Sequence, residues 1–159
     1  MADIHNVFIS HYGNDEPSLD TLRDRLKELG CTVRNSSVER KDYRDKRVSD
    51  ATIAKELRAG IKWAGTFIVL IGEHTHERPW VNYEIRNAYL QGKNIVGIFK
   101  NGCKDSVELP EAFKRYGGPT LGWKSLDKLR DIMDGKCPPP EAPNGTQRAP
   151  IYNIIHIKC

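Results

Sequence analysis

Trp80 and Glu84 stand four residues apart in the stretch Pro79-Trp80-Val81-Asn82-Tyr83-Glu84-Ile85-Arg86-Asn87-Ala88. On a helix that spacing sets them one turn apart on the same face. A carboxylate beside a large aromatic suits chemistry on a sugar. The carboxylate can accept hydrogen bonds from ribose hydroxyls and stabilise an oxocarbenium-like centre as a base departs. The aromatic would wall off the departing ring and exclude water. Taken singly, each residue has a plainer reading, Glu84 as a solvated side chain and Trp80 as core. The pairing is what raises the chemical one.

Such a pair must be held by its surroundings. Phe67-Ile68-Val69-Leu70-Ile71 is a short apolar run stopped by Gly72, the pattern of a strand buried on both faces. Pro79 suits the first position of a helix, where its missing N–H would have no partner. In an open α/β sheet the ligand crevice gathers the loops after the strands' carboxyl ends. Residues 10–15 form one such loop. Its Ser10, His11, Tyr12 and Asp15 offer hydroxyls, backbone N–H groups and a helix start, a plausible phosphate cradle. A second, residues 35–49, is long and polar. It carries a run from Arg40 to Arg47 of five basic residues interleaved with two acidic ones, so Arg40 and Arg44 could hold phosphate or simply face solvent. The third, residues 73–78, leads into the helix of Trp80 and Glu84. Neither Gly-x-Gly-x-x-Gly nor a Walker-type Gly-Lys-Ser occurs. His74 and His76 lack a third metal ligand and read as loop residues, so no metal is expected. Asn82, on a different helix face from Glu84, reads as structural.

The rest of the chain alternates in the same manner. Val7-Phe8-Ile9 reads as a first strand, and Leu19, Leu22, Leu26 and Leu29 recur at helical spacing before Gly30. Residues 31–34 form a weaker strand nearer the sheet edge. A helix capped by Ser49 and Asp50 carries Ile53, Leu57 and Ile61, and Ile95-Val96-Gly97-Ile98-Phe99 is a further apolar strand. Beyond it come a short helix after Pro110, a brief strand at residues 120–122, and an amphipathic helix over residues 125–133. The order predicts a flavodoxin-like doubly wound fold, with a mainly parallel sheet, helices on both faces and a C-terminal extension. The division expected is a domain over residues 1–136, a Pro-rich linker over 137–150 and a C-terminal strand or tail over 151–159, free to pair with a sheet edge or another chain.

At 159 residues the chain can bury a core without staples, and its formal net charge of +4 is well short of a polybasic argument for nucleic acid. Cys31, Cys103, Cys137 and Cys159 are far apart and read as reduced thiols. Neither a signal-peptide pattern nor an apolar run of the ~20 residues needed to span a bilayer is present, so the expected location is cytoplasmic, away from membrane.

Several of these pieces together resemble a TIR-family domain. The resemblance is strongest to the bacterial TIR-like proteins that sense infection in the Thoeris anti-phage system. The matching residues are Val7-Phe8-Ile9-Ser10-His11-Tyr12, Ser49-Asp50, Val69-Leu70-Ile71-Gly72 with Thr75, Trp80-Val81-Asn82-Tyr83-Glu84-Ile85, and Lys93-Asn94-Ile95-Val96-Gly97-Ile98. They span about residues 4–100, and Trp-Val-x-x-Glu-Ile is the most specific. The resemblance implies cleavage of NAD⁺ at the nicotinamide–ribose bond, with Glu84 as the catalytic glutamate and no cofactor beyond NAD⁺ as substrate. It implies an ADP-ribose-derived signal, made by hydrolysis, cyclisation or transfer, that activates a separate effector protein. A phage-derived trigger and self-association on activation belong to the same expectation, and residues 35–49 fall where the family's BB loop lies.

Two other readings stand beside this one. A non-enzymatic interaction module would self-associate through its loop and terminal strand and be indifferent to Glu84→Gln. A nucleoside deoxyribosyltransferase-like enzyme would also use a carboxylate on ribose, but with deoxynucleosides. A phospho-receiver domain is disfavoured, because it needs acidic residues at the first strand's end, where Ser10-His11 stand, and an Asp at the third's, where Gly72-Glu73 stand.

Overall fold

The apolar run after Gly65 becomes the centre of the sheet. In a computed structural model that describes residues 5–12, 16–35, 49–104, 106–134 and 139–146, β3 (Thr66–Ile71) is buried along its whole length. It pairs in parallel with β1 (Asn6–Ser10) on one side and β4 (Asn94–Phe99) on the other. The edges are β2 (Thr32–Asn35) and β5 (Thr120–Leu121), giving the order β2-β1-β3-β4-β5 with every pairing parallel. This is the flavodoxin-like doubly wound arrangement, and the expected edge position of β2 is found.

Alternation along the strands divides the core in two. Phe67, Val69 and Ile71 face α2 (Asp50–Trp63), α3 (Pro79–Leu90) and α4 (Glu111–Tyr116), together with Phe8, Ile95 and Phe99. Ile68 and Leu70 face α1 (Glu16–Glu28) and α5 (Leu129–Met133), together with Val7, Ile9, Val96 and Ile98. Ser49 caps α2, accepting the Thr52 N–H at its hydroxyl. Gly30 and Gly92 adopt positive φ of 85° and 71° just past α1 and α3, as helix-ending glycines do.

Gly97 on β4 is demanded by space. A Cβ there would lie 2.7 Å from Phe113 Cζ, 2.9 Å from Ile71 Cδ1 and 3.0 Å from Thr120 Cγ2. Gly97→Ala is therefore expected to overpack the α4 side of the sheet. It should cost about 1–3 kcal/mol, read as a melting temperature lower by roughly 3–10 °C.

Two segments differ from their sequence pattern. Residues 125–133 are not one α-helix. A 3₁₀ segment (Trp123–Lys128) precedes α5, with Ser125 at a non-helical φ of −107° and ψ of 22°. Leu126, Leu129 and Ile132 are spaced by three, and a 3₁₀ turn can align such residues on one buried line as well as an α-helix can.

The described part of the Pro-rich stretch, residues 139–146, lies against the edge of β5. Glu141 donates its N–H to the Thr120 carbonyl at 2.9 Å, and the Thr120 hydroxyl donates to the Glu141 carbonyl at 2.8 Å. Its buried carboxylate accepts the Gly122 N–H at 3.0 Å and meets Lys128 Nζ at 2.7 Å. Burial acts to raise the Glu141 pKa, but hydrogen bonds from Lys128, Ser125 and Gly122 outweigh it, and the net shift is downward. A lowered folded-state pKa stabilises above the ordinary carboxylate value of 4.5, and that contribution is lost as pH falls through the lowered one. The protection of the Gly122 and Glu141 amides, taken as hydrogen exchange relative to the intrinsic rate at each pH, should therefore be high at neutral pH and fall as the pH drops below the ordinary carboxylate range. Unchanged protection in acid would assign the docking to the backbone bonds alone. The expected strand at residues 151–157 lies outside the described residues.

Candidate functional site

The strand order reverses between β1 and β3, so their following loops part and leave a crevice at that point. Ser10 ends β1 there, with no exposed surface. Its Oγ donates to Glu84 Oε1 at 3.1 Å across a sequence separation of 74 residues. Glu84 is itself fully buried, in line with Val81, Ile85 and Ala88 on the inward face of α3. A carboxylate in an apolar stripe costs folding energy and needs compensating donors, which is why the Ser10 hydroxyl matters.

The β3–α3 connection fixes where α3 begins. Thr75, fully buried, accepts the Gly72 N–H at 2.8 Å and donates to the Leu70 carbonyl at 3.4 Å, closing the loop into a 3₁₀ turn (Thr75–Glu77). Arg78 is the N-cap of α3 and Pro79 follows at its first position, as expected. Asn82 is structural: its side chain donates to the Arg78 carbonyl at 3.2 Å and accepts the Ala112 N–H at 2.9 Å, tying α3 to the start of α4.

Trp80 is partly exposed and packs on the α2–α3–α4 side of the core, edge-on to Tyr83 with ring centroids 5.4 Å apart. Tyr83 is held in turn by Arg58 Nη1 at 2.9 Å. His11 and Tyr12 continue from Ser10, both half-buried, and His11 Nδ1 donates to the Tyr12 carbonyl at 3.1 Å. Tyr12 forms the rim of the crevice. The Arg78 guanidinium sits 3.8 Å from its ring centroid, and the His74 ring lies 6.1 Å away at a tilt of 42°. His74 Nδ1 meets Glu77 Oε2 at 3.2 Å, and His76 Nε2 lies 3.8 Å from Glu77 Oε1. Among the described residues no group of three or more His, Cys, Asp or Glu could hold a metal ion.

The structure thus joins Ser10 to Glu84 directly; His11 and Tyr12 follow Ser10 in the chain, and Trp80 stands one turn before Glu84 on α3, against Tyr83. Asp15, Arg40 and Arg44 lie outside the described residues, as does most of the loop over residues 35–49. A cleft of about 280 Å³ is lined by Glu73, His76, Lys104, Ser106, Val107 and Glu108. Sequence reasoning passed over Arg78. The available signal was a cation at a helix start, where the macrodipole favours the opposite charge. Cys31 is buried against Met133, its thiol pushed up by burial with Arg130 opposing; neither it nor Cys103 is in a disulfide. Among the described residues no helix is long and apolar enough to cross a membrane.

A parallel doubly wound sheet with a buried carboxylate beneath its switch point makes this an α/β domain of the flavodoxin-like class. The family described as Thoeris protein ThsB, TIR-like domain, matches residues 8–105, and the chain belongs to that family. Membership ties it to the Thoeris anti-phage defence system. A curated Bacillus cereus (strain MSX-D12) protein named "Putative cyclic ADP-D-ribose synthase ThsB1" is 37% identical over 60 residues, 38% of this chain and 31% of that protein. The match therefore spans about a third of the relative's length. Among solved structures, the CMP N-glycosidase BcmB of Clostridium botulinum shares the fold with a TM-score of 0.51 at 17% identity, covering 81% of this chain and 97% of that one. A conserved protein from Enterococcus faecalis V583 does so with a TM-score of 0.50 at 14% identity, covering 82% and 77%.

Proposed function

We propose that the chain cleaves NAD⁺ at the nicotinamide–ribose bond and forms an ADP-ribose-derived signal for a separate effector protein. The observation that carries the reading is Glu84, a fully buried carboxylate hydrogen-bonded by Ser10 at the switch point. A scaffold gains nothing from a carboxylate there, whereas glycosidic cleavage does. Nicotinamide leaves with the electrons of its C–N bond and becomes neutral. The ribosyl carbon is left electron-poor, and the Glu84 carboxylate stabilises it. Water then gives ADP-ribose, or a nucleophile within the same molecule or on a second one gives a cyclic or conjugated product. The name of the Bacillus cereus relative supports the cyclic outcome for this chain.

In this reading Trp80, steadied by Tyr83 and Arg58, shapes the pocket for the departing ring. His11 and Tyr12 line the ribose side. The backbone N–H groups of the loop ending at Asp15, with the Arg40 and Arg44 side chains, are assigned to the phosphates, and no metal or further cofactor takes part. Glu84 has no exposed surface in this conformation, which suits an enzyme silent until a phage-derived trigger or self-association opens the site. Incubating the full-length chain with NAD⁺, alone and in triggered cells, and analysing small molecules by mass spectrometry tests the proposal. Free nicotinamide and an ADP-ribose species should accumulate. Deoxynucleoside cleavage in place of NAD⁺ cleavage, or none in any state, would reject it.

A further inference from the structure

A dinucleotide brings negative charge to a site whose reacting group is a carboxylate, so something must hold its diphosphate at a distance from Glu84. Arg78 has the chemistry and the place. Its guanidinium lies 3.8 Å from the centroid of Tyr12, which is partly exposed at the crevice rim. Tyr12 follows Ser10 by two residues, so their backbones are within about 7 Å. Ser10 in turn touches the Glu84 carboxylate. Along α3, Arg78 precedes Glu84 by six residues, which is about 9 Å of helix rise. Those spans match the step from a ribosyl carbon past its ribose to the attached phosphates. A guanidinium lying over a ring presents its N–H donors at the ring's edge, in the fork that phosphate oxygens accept. A cation at the N-cap of α3, with no acidic residue in the first turn, is also against the helix dipole.

We infer that Arg78, seated on Tyr12, binds the diphosphate of the substrate. The inference rests on the NAD⁺ reading for its ligand class. It places an anion contact on the α3 side of the crevice.

Calorimetric titration of ADP into the full-length chain tests it without requiring turnover. Arg78→Gln is expected to weaken ADP binding about 10- to 100-fold, the worth of a charge-assisted pair, and to leave adenosine binding unchanged. Arg78→Lys keeps the charge without the fork and should recover part of the loss. Equal ADP affinity in wild type and Arg78→Gln overturns the inference. So does an equal loss for adenosine, or no ADP binding by the wild type. In turnover, Arg78→Gln should raise KM for NAD⁺ with kcat unchanged and leave cleavage of nicotinamide riboside, which lacks the diphosphate, as it was. A parallel fall on both substrates would make Arg78 a prop for α3. Absence of NAD⁺ cleavage with normal ADP binding would reject the proposed reaction and retain the anion site.

Discussion

Glu84→Gln should reduce NAD⁺ cleavage by about 10²- to 10³-fold or more, while the protein melts at the same temperature as the wild type or above it. The catalytic loss follows from charge. Gln keeps the size and can still accept the Ser10 hydroxyl, but a neutral amide cannot stabilise a ribosyl centre that is losing its leaving group; single electrostatic stabilisers are worth that factor. The stability gain follows from burial. Glu84 has no exposed surface and shares the inward stripe of α3 with Val81, Ile85 and Ala88. An ionisable carboxyl in such a place costs more to desolvate than an amide does. A residue kept for activity at the expense of folding is the expected signature of a reacting group. Nicotinamide release and thermal unfolding measured on the same preparations decide the matter. If cleavage persists at full rate, the catalytic assignment is wrong. If cleavage falls only together with a large drop in melting temperature, Glu84 is part of the frame.

Much of this arrangement can be read from residue order, and most of the unread parts share one cause. The run at residues 67–71 was legible as a buried strand because neither face of β3 meets water. Pro79 marked the start of α3 and Gly92 its end by local chemistry alone. Glu84 was marked by its spacing from Trp80; that it also breaks the apolar stripe from Val81 to Ala88 is a second signal, which the reading of the helix did not use. The second signal is the sharper, since Trp80 turns out to lie partly in the open against Tyr83. The partner of Glu84 was not legible. Ser10 reaches it only because β1 and β3 are neighbours in the sheet, a fact of topology that no local pattern encodes. The same holds for Glu141, one charge in a Pro-rich stretch whose partners Thr120, Gly122 and Lys128 are brought to it by the sheet edge. Arg78 was hidden differently, because its meaning lies in the Tyr12 ring it covers.

Ser10→Ala should impair both the fold and the reaction, and the way the two losses combine separates two roles for this hydroxyl. The residue pattern offers Ser10 to substrate, but its Oγ is buried and donates to Glu84 Oε1. Alanine fills the same space and leaves that oxygen without the hydroxyl. Losing a buried hydrogen bond to a carboxylate costs about 1.5–3 kcal/mol, a melting temperature lower by roughly 3–10 °C. A carboxylate no longer held in line should also lower kcat by about 10- to 100-fold, with little change in KM. If Ser10 acts by positioning Glu84, its effect disappears once the carboxylate is gone. The double variant Ser10→Ala, Glu84→Gln should then be no slower than Glu84→Gln alone. Ser10→Ala should likewise cost less stability in that background, because an amide is less expensive to leave without the hydroxyl than a carboxylate. Additive losses in rate would instead return Ser10 to direct contact with NAD⁺, and the Ser10–Glu84 bond would then be a resting arrangement that substrate must break.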